Sequence, residues 1–515
     1  MIDLSVRPSR RRAVVAHLVV GGLLQLLFVG QSLVVLPLAL VLICTEAFGF
    51  WLATGGLLGW LSVANFGVAG LTLQRCATAY GGGDLAEARD WFVHGMVFSV
   101  ASAVLLVCLV LPAAVIAPGW LGATGGLASQ LGLGMIIAGC GFAVTPINDT
   151  ARGFVCALQR NGLAMGAELV AAAVAFGFTV WALLAGWGIS GLAWGAAMRM
   201  LVATFLSVSL ALFYARLAAP GMRWSRGIVG EYARHVGPLW SASVVAQVIA
   251  PLPVVLLTKL LGPEGGPLAA VAYTATIRPL ALAETFAMHA VSSTSAAMSH
   301  LVEDRSAADV APQRIRLASR ALYVALCAGL FLYCLGDGGF VGLWVGRDAF
   351  LGQQFVFVGA LASVALIQFR WLTNLGTSLG FIAGAAKLQS AEGVARAALM
   401  AVGIVMAGPI GIPLAATVTL ASAAVIMERR LREHPGFPRE GTERLRWLLI
   451  AGVASAAGCA LSPVMLSGSW TEWLVCMALA AAGVVALLGV LFPGAQRAVS
   501  ARLRPHATDR RAQAT

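Results

Sequence analysis

Residues 14–44 read VVAHLVVGGLLQLLFVGQSLVVLPLALVLIC, immediately after the tribasic Arg10-Arg11-Arg12. The run contains no Asp, Glu, Lys or Arg. An α-helix rises about 1.5 Å per residue and a bilayer core is about 30 Å thick, so about 20 apolar residues span it. A secretory signal carries a shorter apolar region, roughly 7–15 residues, ending in a small-residue cleavage site. The run therefore reads as a retained first membrane span.

The same kind of run recurs along the chain. Fourteen spans are expected, over residues 14–43, 47–77, 91–116, 129–157, 163–185, 189–215, 236–260, 267–298, 317–335, 351–379, 391–408, 411–428, 445–466 and 470–492. The loops between them alternate between Arg-rich and nearly cation-free. Of 34 Lys and Arg, only Lys259 and Arg347 fall in loops on one side, and Arg199, Arg278 and Arg370 fall inside spans. The rest, including Arg75, Arg89, Arg160, Arg234, Arg320, Lys387, Arg396 and Arg432, lie at the other side or in the two termini. Positive loops resist translocation, so both termini are expected in the cytoplasm, with an even number of spans across the inner membrane.

Composition agrees. The chain is 59% hydrophobic and 11% charged, against about 25% charged residues in a soluble domain. The net charge of +12 is accounted for by loops facing anionic lipid headgroups. No basic run is interleaved with stacking aromatics, so nucleic acid is not an expected partner. The cysteines sit mostly in apolar runs, for example Cys108, Cys140, Cys327, Cys459 and Cys476, with no CxxC and no Cys/His spacing for a metal. They read as small hydrophobes. The turns at 45–46, 186–188, 262–266 and 408–409 are too short to house an external domain. Met222–His235 mixes Arg with Trp224, Ile228 and Tyr232, the composition of a helix lying in the interface.

A weak internal repeat is visible. Leu42-Ile43-Cys44-Thr45-Glu46 corresponds to Leu260-Leu261-Gly262-Pro263-Glu264, and Gly186 with Leu192-Ala193 corresponds to Gly408 with Leu414-Ala415. Each unit would hold six spans, giving an N-lobe at 1–217 and a C-lobe at 218–433. Spans 13 and 14 and a basic tail would follow at 434–515. An even unit preserves topology, so the lobes should be related by an axis along the membrane normal. The expected fold class is thus all-α and polytopic, with two six-helix lobes and two extra helices.

The stretches Thr45-Glu46-Ala47-Phe48-Gly49-Phe50-Trp51-Leu52, Gly59-Trp60-Leu61, Asn65-Phe66-Gly67, Gly83-Asp84 and Ala86-Glu87-Ala88-Arg89 resemble the opening of polysaccharide and O-antigen flippases. Leu158-Gln159-Arg160 with Gly186–Ala193, and Leu260–Glu264 with Tyr273 and Arg278, resemble later parts of the same family. Its superfamily also holds lipid II flippases and multidrug and toxin extrusion transporters. The resemblance covers residues 14–435. It implies a two-lobed bundle around a cavity that alternates its access and moves a lipid-linked oligosaccharide outward. Implied partners are that lipid, membrane lipids, and the glycan polymerase and glycosyltransferases of one pathway. No cofactor is implied.

Charges inside spans are the candidate site. An Arg at the bilayer centre costs about 2.5–3.5 kcal/mol on insertion scales. Arg278 shares a helix face with Thr274, Thr285 and His289, with Pro279 able to shift the register. Arg370, Thr373, Asn374 and Thr377 form a second polar stripe, and Thr145, Asn148, Asp149 and Arg152 a third. The repeat makes Asn148 the counterpart of Arg370 and Arg152 that of Asn374. Arg199 stands alone in span 6. A guanidinium stays charged and holds phosphate oxygens through a planar fork, which suits the diphosphate of such a lipid. Substrate-binding candidates are therefore Arg278, Arg370, Arg199, Asn374, Thr274, Thr285, Asn148 and Arg152. Asp149, Glu168, Glu284 and His289 are candidates for ion coupling or for pairing with the arginines.

Two motif matches lack their mechanism. Gly186–Gly191 fits GxGxxG without a preceding strand, and Gly376–Gly380 fits GxSxG inside a span. No Walker GxxxxGK[ST] occurs. Alternatives to a flippase are a small-molecule antiporter of the same superfamily, which needs a dominant acidic site, and a membrane-embedded glycan polymerase or acyltransferase. The latter needs catalytic groups in a substantial external loop, and the largest, at 335–351, offers only Asp337, Arg347 and Asp348.

Overall fold

The computed structural model describes residues 10–61, 63, 67–218, 224–303, 311–379, 381–433, 437, 441–465 and 468–491. Every regular element among them is a helix. The first half contains α1 (Arg10–Leu42), α2 (Thr45–Leu61), α3 (Val68–Gly82), α4 (Leu85–Leu121), α5 (Gly125–Ala143), α6 (Thr145–Ala157), α7 (Asn161–Leu184) and α8 (Gly188–Ala218). The second contains α9 (Arg226–Ile249), α10 (Leu252–Leu260), α11 (Gly262–Glu303), α12 (Ala311–Trp344), α13 (Gln353–Ser378), α14 (Ile382–Ala407) and α15 (Gly411–Leu431). Last come α16 (Gly441–Leu461) and α17 (Trp470–Leu491). Ten stretches of these helices are long and apolar enough to cross a membrane, one of them, 383–431, covering both α14 and α15. The chain is an all-α, multi-pass membrane protein.

The expected spans map onto more helices than spans because three of them are broken. Span 4 becomes α5 and α6 at Val144, where Pro146 follows and supplies no N–H to the preceding turn. Thr145 Oγ1 donates to the Phe142 carbonyl at 2.6 Å across the break. Span 7 becomes α9 and α10 at Ala250-Pro251, with Pro253 just inside α10. Span 2 becomes α2 and α3. The turn after α3 is built by Gly83, at φ 86°, and by Asp84, whose carboxylate accepts the Glu87 N–H at 2.8 Å. That bond satisfies one of the orphan donors of α4.

Helix pairing recurs between the halves. α1 packs on α7, and α9 and α10 pack on α14. α5 and α6 pack on α8, and α13 packs on α15; α7 pairs with α8 as α14 pairs with α15. α16 and α17 pack on α12, outside this pattern. α17 turns Leu474, Val475, Leu479, Val485 and Leu487 outward, which a lipid solvent tolerates at no cost.

The halves are joined at the end that carries Lys259 and Arg347. There α2 packs on α10 and α11 so closely that a Cβ at Gly49 would overlap the Pro267 carbonyl. Trp60 Nε1 donates to the Val248 carbonyl at 2.9 Å, Lys259 Nζ to Trp120 O at 2.5 Å, and Trp344 Nε1 to Leu33 O at 2.8 Å.

At the opposite end the segment expected to lie in the interface does something else. Residues 226–234 are the first turns of α9, and they dock on α3 and α4. Tyr232 is fully buried, hydrogen-bonded with Thr72 at 2.6 Å and donating to Trp91 O at 3.2 Å. Glu231 pairs with Arg75. His94 stacks on Trp224, its ring centroid 4.5 Å away, while its Nε2 accepts the Ser225 N–H at 3.1 Å. Composition suggested an amphipathic surface helix because Tyr and Trp serve equally at lipid headgroups and in a protein groove. Met222 and Arg223 lie outside the described residues.

Candidate functional site

Two chambers flank α11. The first, about 480 Å³, is walled by α1, α2, α8, α11 and the end of α12, and Gln25, Gln31, Ser32 and Arg199 line it together with Thr274, Arg278 and Thr285. The second, about 490 Å³, lies among α10, α11, α13, α14 and α15, and its polar lining includes Tyr273, Glu284, Ser363, Arg370 and Arg396. Thr274, Arg278 and Ala281 face both. α11 is therefore the partition of one central site, and Arg278 is the cation on it.

Arg278 is exposed and donates to Ser32 Oγ on α1. No carboxylate lies within ion-pair distance of it among the described residues. Glu284, the acid expected to neutralise it, instead accepts a hydrogen bond from Ser363 on α13. Pro279 leaves α11 unbroken. It does withhold its N–H from the Ala275 carbonyl, loosening the helix just where Arg278 projects.

Three more guanidinium groups share its level. Arg199 lies over the Phe28 ring at 4.6 Å, with Glu168 near enough to interact electrostatically and its buried Nε unbonded. Arg370 projects from α13 toward Arg396 of α14, close enough for the two charges to repel. Arg396 is paired with Glu392 at 3.2 Å, and Glu392 also accepts from Thr419 at 3.0 Å. Arg199, Arg278, Arg370 and Arg396 sit 11, 16, 17 and 11 residues from the helix ends at the joined side. At about 1.5 Å per residue that is about 16–26 Å of depth, so the four form one cationic belt. Against four arginines the lining sets two acids, Glu284 and Glu392, the latter at the edge of the second chamber. The first chamber has none. The belt carries a net formal charge of +2.

The sequence-derived residues thus separate. Arg278, Arg199, Arg370, Thr274, Thr285 and Glu284 come together on the chambers. Asn148, Asp149, Arg152, Glu168 and Asn374 line neither. Asn148 Nδ2 donates to Glu168 Oε1 at 2.9 Å between α6 and α7. Asp149 and Arg152 pair one turn apart at 3.7 Å. Asn374 Nδ2 donates to the Val291 carbonyl at 2.8 Å, tying α13 to α11. The side chain of His289 lies outside the described residues. The repeat made Asn148 the counterpart of Arg370, yet one is tied to α7 and the other faces a chamber. The break at Val144 re-aims α6, whereas α13 runs unbroken.

Arg396 was missed because it was grouped with the loop cations, although it falls inside the expected span 391–408. α14 begins at Ile382, so Arg396 lies well inside a helix. Gln25, Gln31 and Ser32 were missed because they are uncharged. Their signal is the spacing 25, 28, 32, which sets Gln25, Phe28 and Ser32 on one face of α1.

No protein-family model matches the chain. No curated protein matches it in sequence. Solved structures do match. The lipid II flippase MurJ in an inward closed conformation superposes with a TM-score of 0.68 at 11% identity, covering 93% of this chain and 99% of that one. An inward-facing multidrug resistance MATE family transporter of the MOP superfamily gives 0.60 at 16% identity, covering 83% and 95%. A MATE in the straight conformation gives 0.52 at 17%, covering 86% and 97%. The chain shares the fold of these solved transporters.

Proposed function

We propose that this chain is a flippase that carries a polyprenyl-diphosphate-linked oligosaccharide, or a related polysaccharide precursor, from the cytoplasmic to the outer leaflet by alternating access. The observation that carries this reading is Arg278, a guanidinium without an acidic partner among the described residues, facing both chambers. A diphosphate supplies the anion that such a belt lacks, held by forked, charge-assisted hydrogen bonds. Gln25, Gln31 and Ser32 offer neutral donors and acceptors for sugar hydroxyls beside it. The likeness to MurJ, itself named a lipid II flippase, supports a lipid-linked cargo.

In this reading the lobes 1–217 and 218–433 rock against each other, with α16 and α17 bracing the second. The Arg-rich end faces the cytoplasm of an inner membrane, and the site opens toward it while the opposite end is joined. No covalent step occurs and no cofactor takes part. Glycosyltransferases supply the substrate and a polymerase consumes it.

The test uses headgroup chemistry. The purified protein should be stabilised thermally by undecaprenyl diphosphate and not by undecaprenol, and Arg278→Ala should abolish the difference. Equal stabilisation by both lipids would remove the anion site. A second reading, exchange of a small organic cation for protons, is favoured by the carboxylates of Glu284 and Glu392 at the second chamber. It predicts proton-driven efflux of a cationic dye that Glu284→Gln abolishes and Arg278→Ala spares.

A further inference from the structure

We propose that Cys334 and Cys459 form a redox pair whose oxidation ties α16 to α12. The two thiols lie close enough to interact across the α12–α16 contact. They come from helices far apart in the chain. Gly458 lets α16 reach the α12 backbone: a Cβ there would lie 2.6 Å from the Phe331 carbonyl and 2.9 Å from Cys334 Cβ. Gln353, at the start of α13, grips both. Its Nε2 donates to the Cys334 carbonyl at 2.5 Å and its own carbonyl lies 3.9 Å from Cys459 Sγ. Both cysteines are free thiols.

The two sites are unequal. Cys334 is fully buried and Cys459 half-buried. That difference assigns two roles: Cys459 is the thiol an external reagent reaches, and Cys334 is the resolving thiol behind it.

The step balances with a small disulfide, R–S–S–R, as oxidant. The Cys459 thiolate attacks one sulfur of the reagent, releasing R–S⁻, which takes up the thiol proton as R–SH. Cys334 then attacks Cys459 Sγ in the mixed disulfide, forming the Cys334–Cys459 bond and releasing the second R–S⁻. The two thiol protons leave on the two R–SH products, and the reagent carries away both electrons. In the orientation proposed above, a reading this part rests on, the pair lies toward the outer face, where disulfides persist. The reactivity does not depend on that orientation.

The experiment treats the purified full chain with 4,4′-dithiodipyridine, an apolar aromatic disulfide, and maps its peptides without reduction. The wild type should yield one cross-linked peptide pair containing Cys334 and Cys459. Cys334→Ser should stop at a stable thiopyridyl adduct on Cys459, and Cys459→Ser should leave Cys334 unmodified. A wild-type protein that accumulates the Cys459 adduct with Cys334 still free overturns the pair. That result does not bear on transport, so the flippase reading can fail while this one stands.

Discussion

At Arg278 the competing roles differ in what surrounds the side chain. A structural arginine would be held by an acid, and its loss would expose that acid. Here Glu284, the acid on the same helix, is already bonded to Ser363. Arg278→Ala is therefore expected to accumulate normally and to lose glycan export, with Arg278→Lys partly active because it keeps the charge and loses the fork. A charge-assisted hydrogen bond contributes roughly 1.5–3 kcal/mol, so lipid-linked substrate should bind about ten- to a hundredfold more weakly. Glu284→Gln should not rescue it. Immunoblots and surface-glycan measurements on the single and double variants check this, and full export by stable Arg278→Ala would sink the anion site. Arg396 should behave oppositely. Its partner Glu392 is almost wholly buried, and stripping one member from a buried pair costs about 3–5 kcal/mol. Arg396→Ala is expected to reduce the amount of folded protein, and the double variant with Glu392→Gln to restore it.

Among the elements, the first turns of α9 decide how the halves are coupled. They belong by contact to α3 and α4, while the rest of α9 and α10 pack on α14. The connection between the halves is thus anchored on the first half, and bending is left to the segment that ends at Ala250-Pro251. Tyr232→Phe should remove a buried hydrogen bond worth about 0.5–1.5 kcal/mol and lower the Tm by a few degrees. Gly95→Ala should cost more, about 1–3 kcal/mol, because its new Cβ would displace the Thr72 hydroxyl from Tyr232. Thermal melts in detergent measure both. A Gly95→Ala protein as stable as wild type would show that α9 does not rest on this seat. The Arg75–Glu231 pair is partly exposed, and such pairs contribute about 0–1 kcal/mol. Its loss is expected to change the melt little.

For the whole molecule, orientation and energetics are the testable quantities. A cysteine at Gly265, in the first turn of α11, should react with an impermeant thiol reagent from outside. One at Ala86, beside the α3–α4 turn, should react only after permeabilisation. The background lacks the native thiols, since Cys44 is itself exposed. Reversed labelling would put the open side of the site on the wrong leaflet. With no phosphate-binding loop, export in proteoliposomes should proceed without ATP. A strict ATP requirement by the purified chain would rule out the alternating-access reading.

Hydropathy was enough to read the all-α, multi-pass class, because bilayer thickness acts on local composition alone. The cost of a cation inside the bilayer made Arg199, Arg278 and Arg370 conspicuous. Which intramembrane polar groups meet is a different kind of question, since their partners come from helices hundreds of residues apart. Only the tertiary structure set Arg278 between two chambers, gave Glu284 to Ser363, locked Asn148 onto Glu168 and turned Asn374 toward Val291. It also brought Arg396, grouped with the loop cations in the sequence, into the belt, because its neighbours there come from other helices. The break before Pro146 was written in the sequence as a proline. Its consequence, that one half of the repeat faces a chamber where the other is tied between helices, follows from helix direction and is fixed only when the bundle closes.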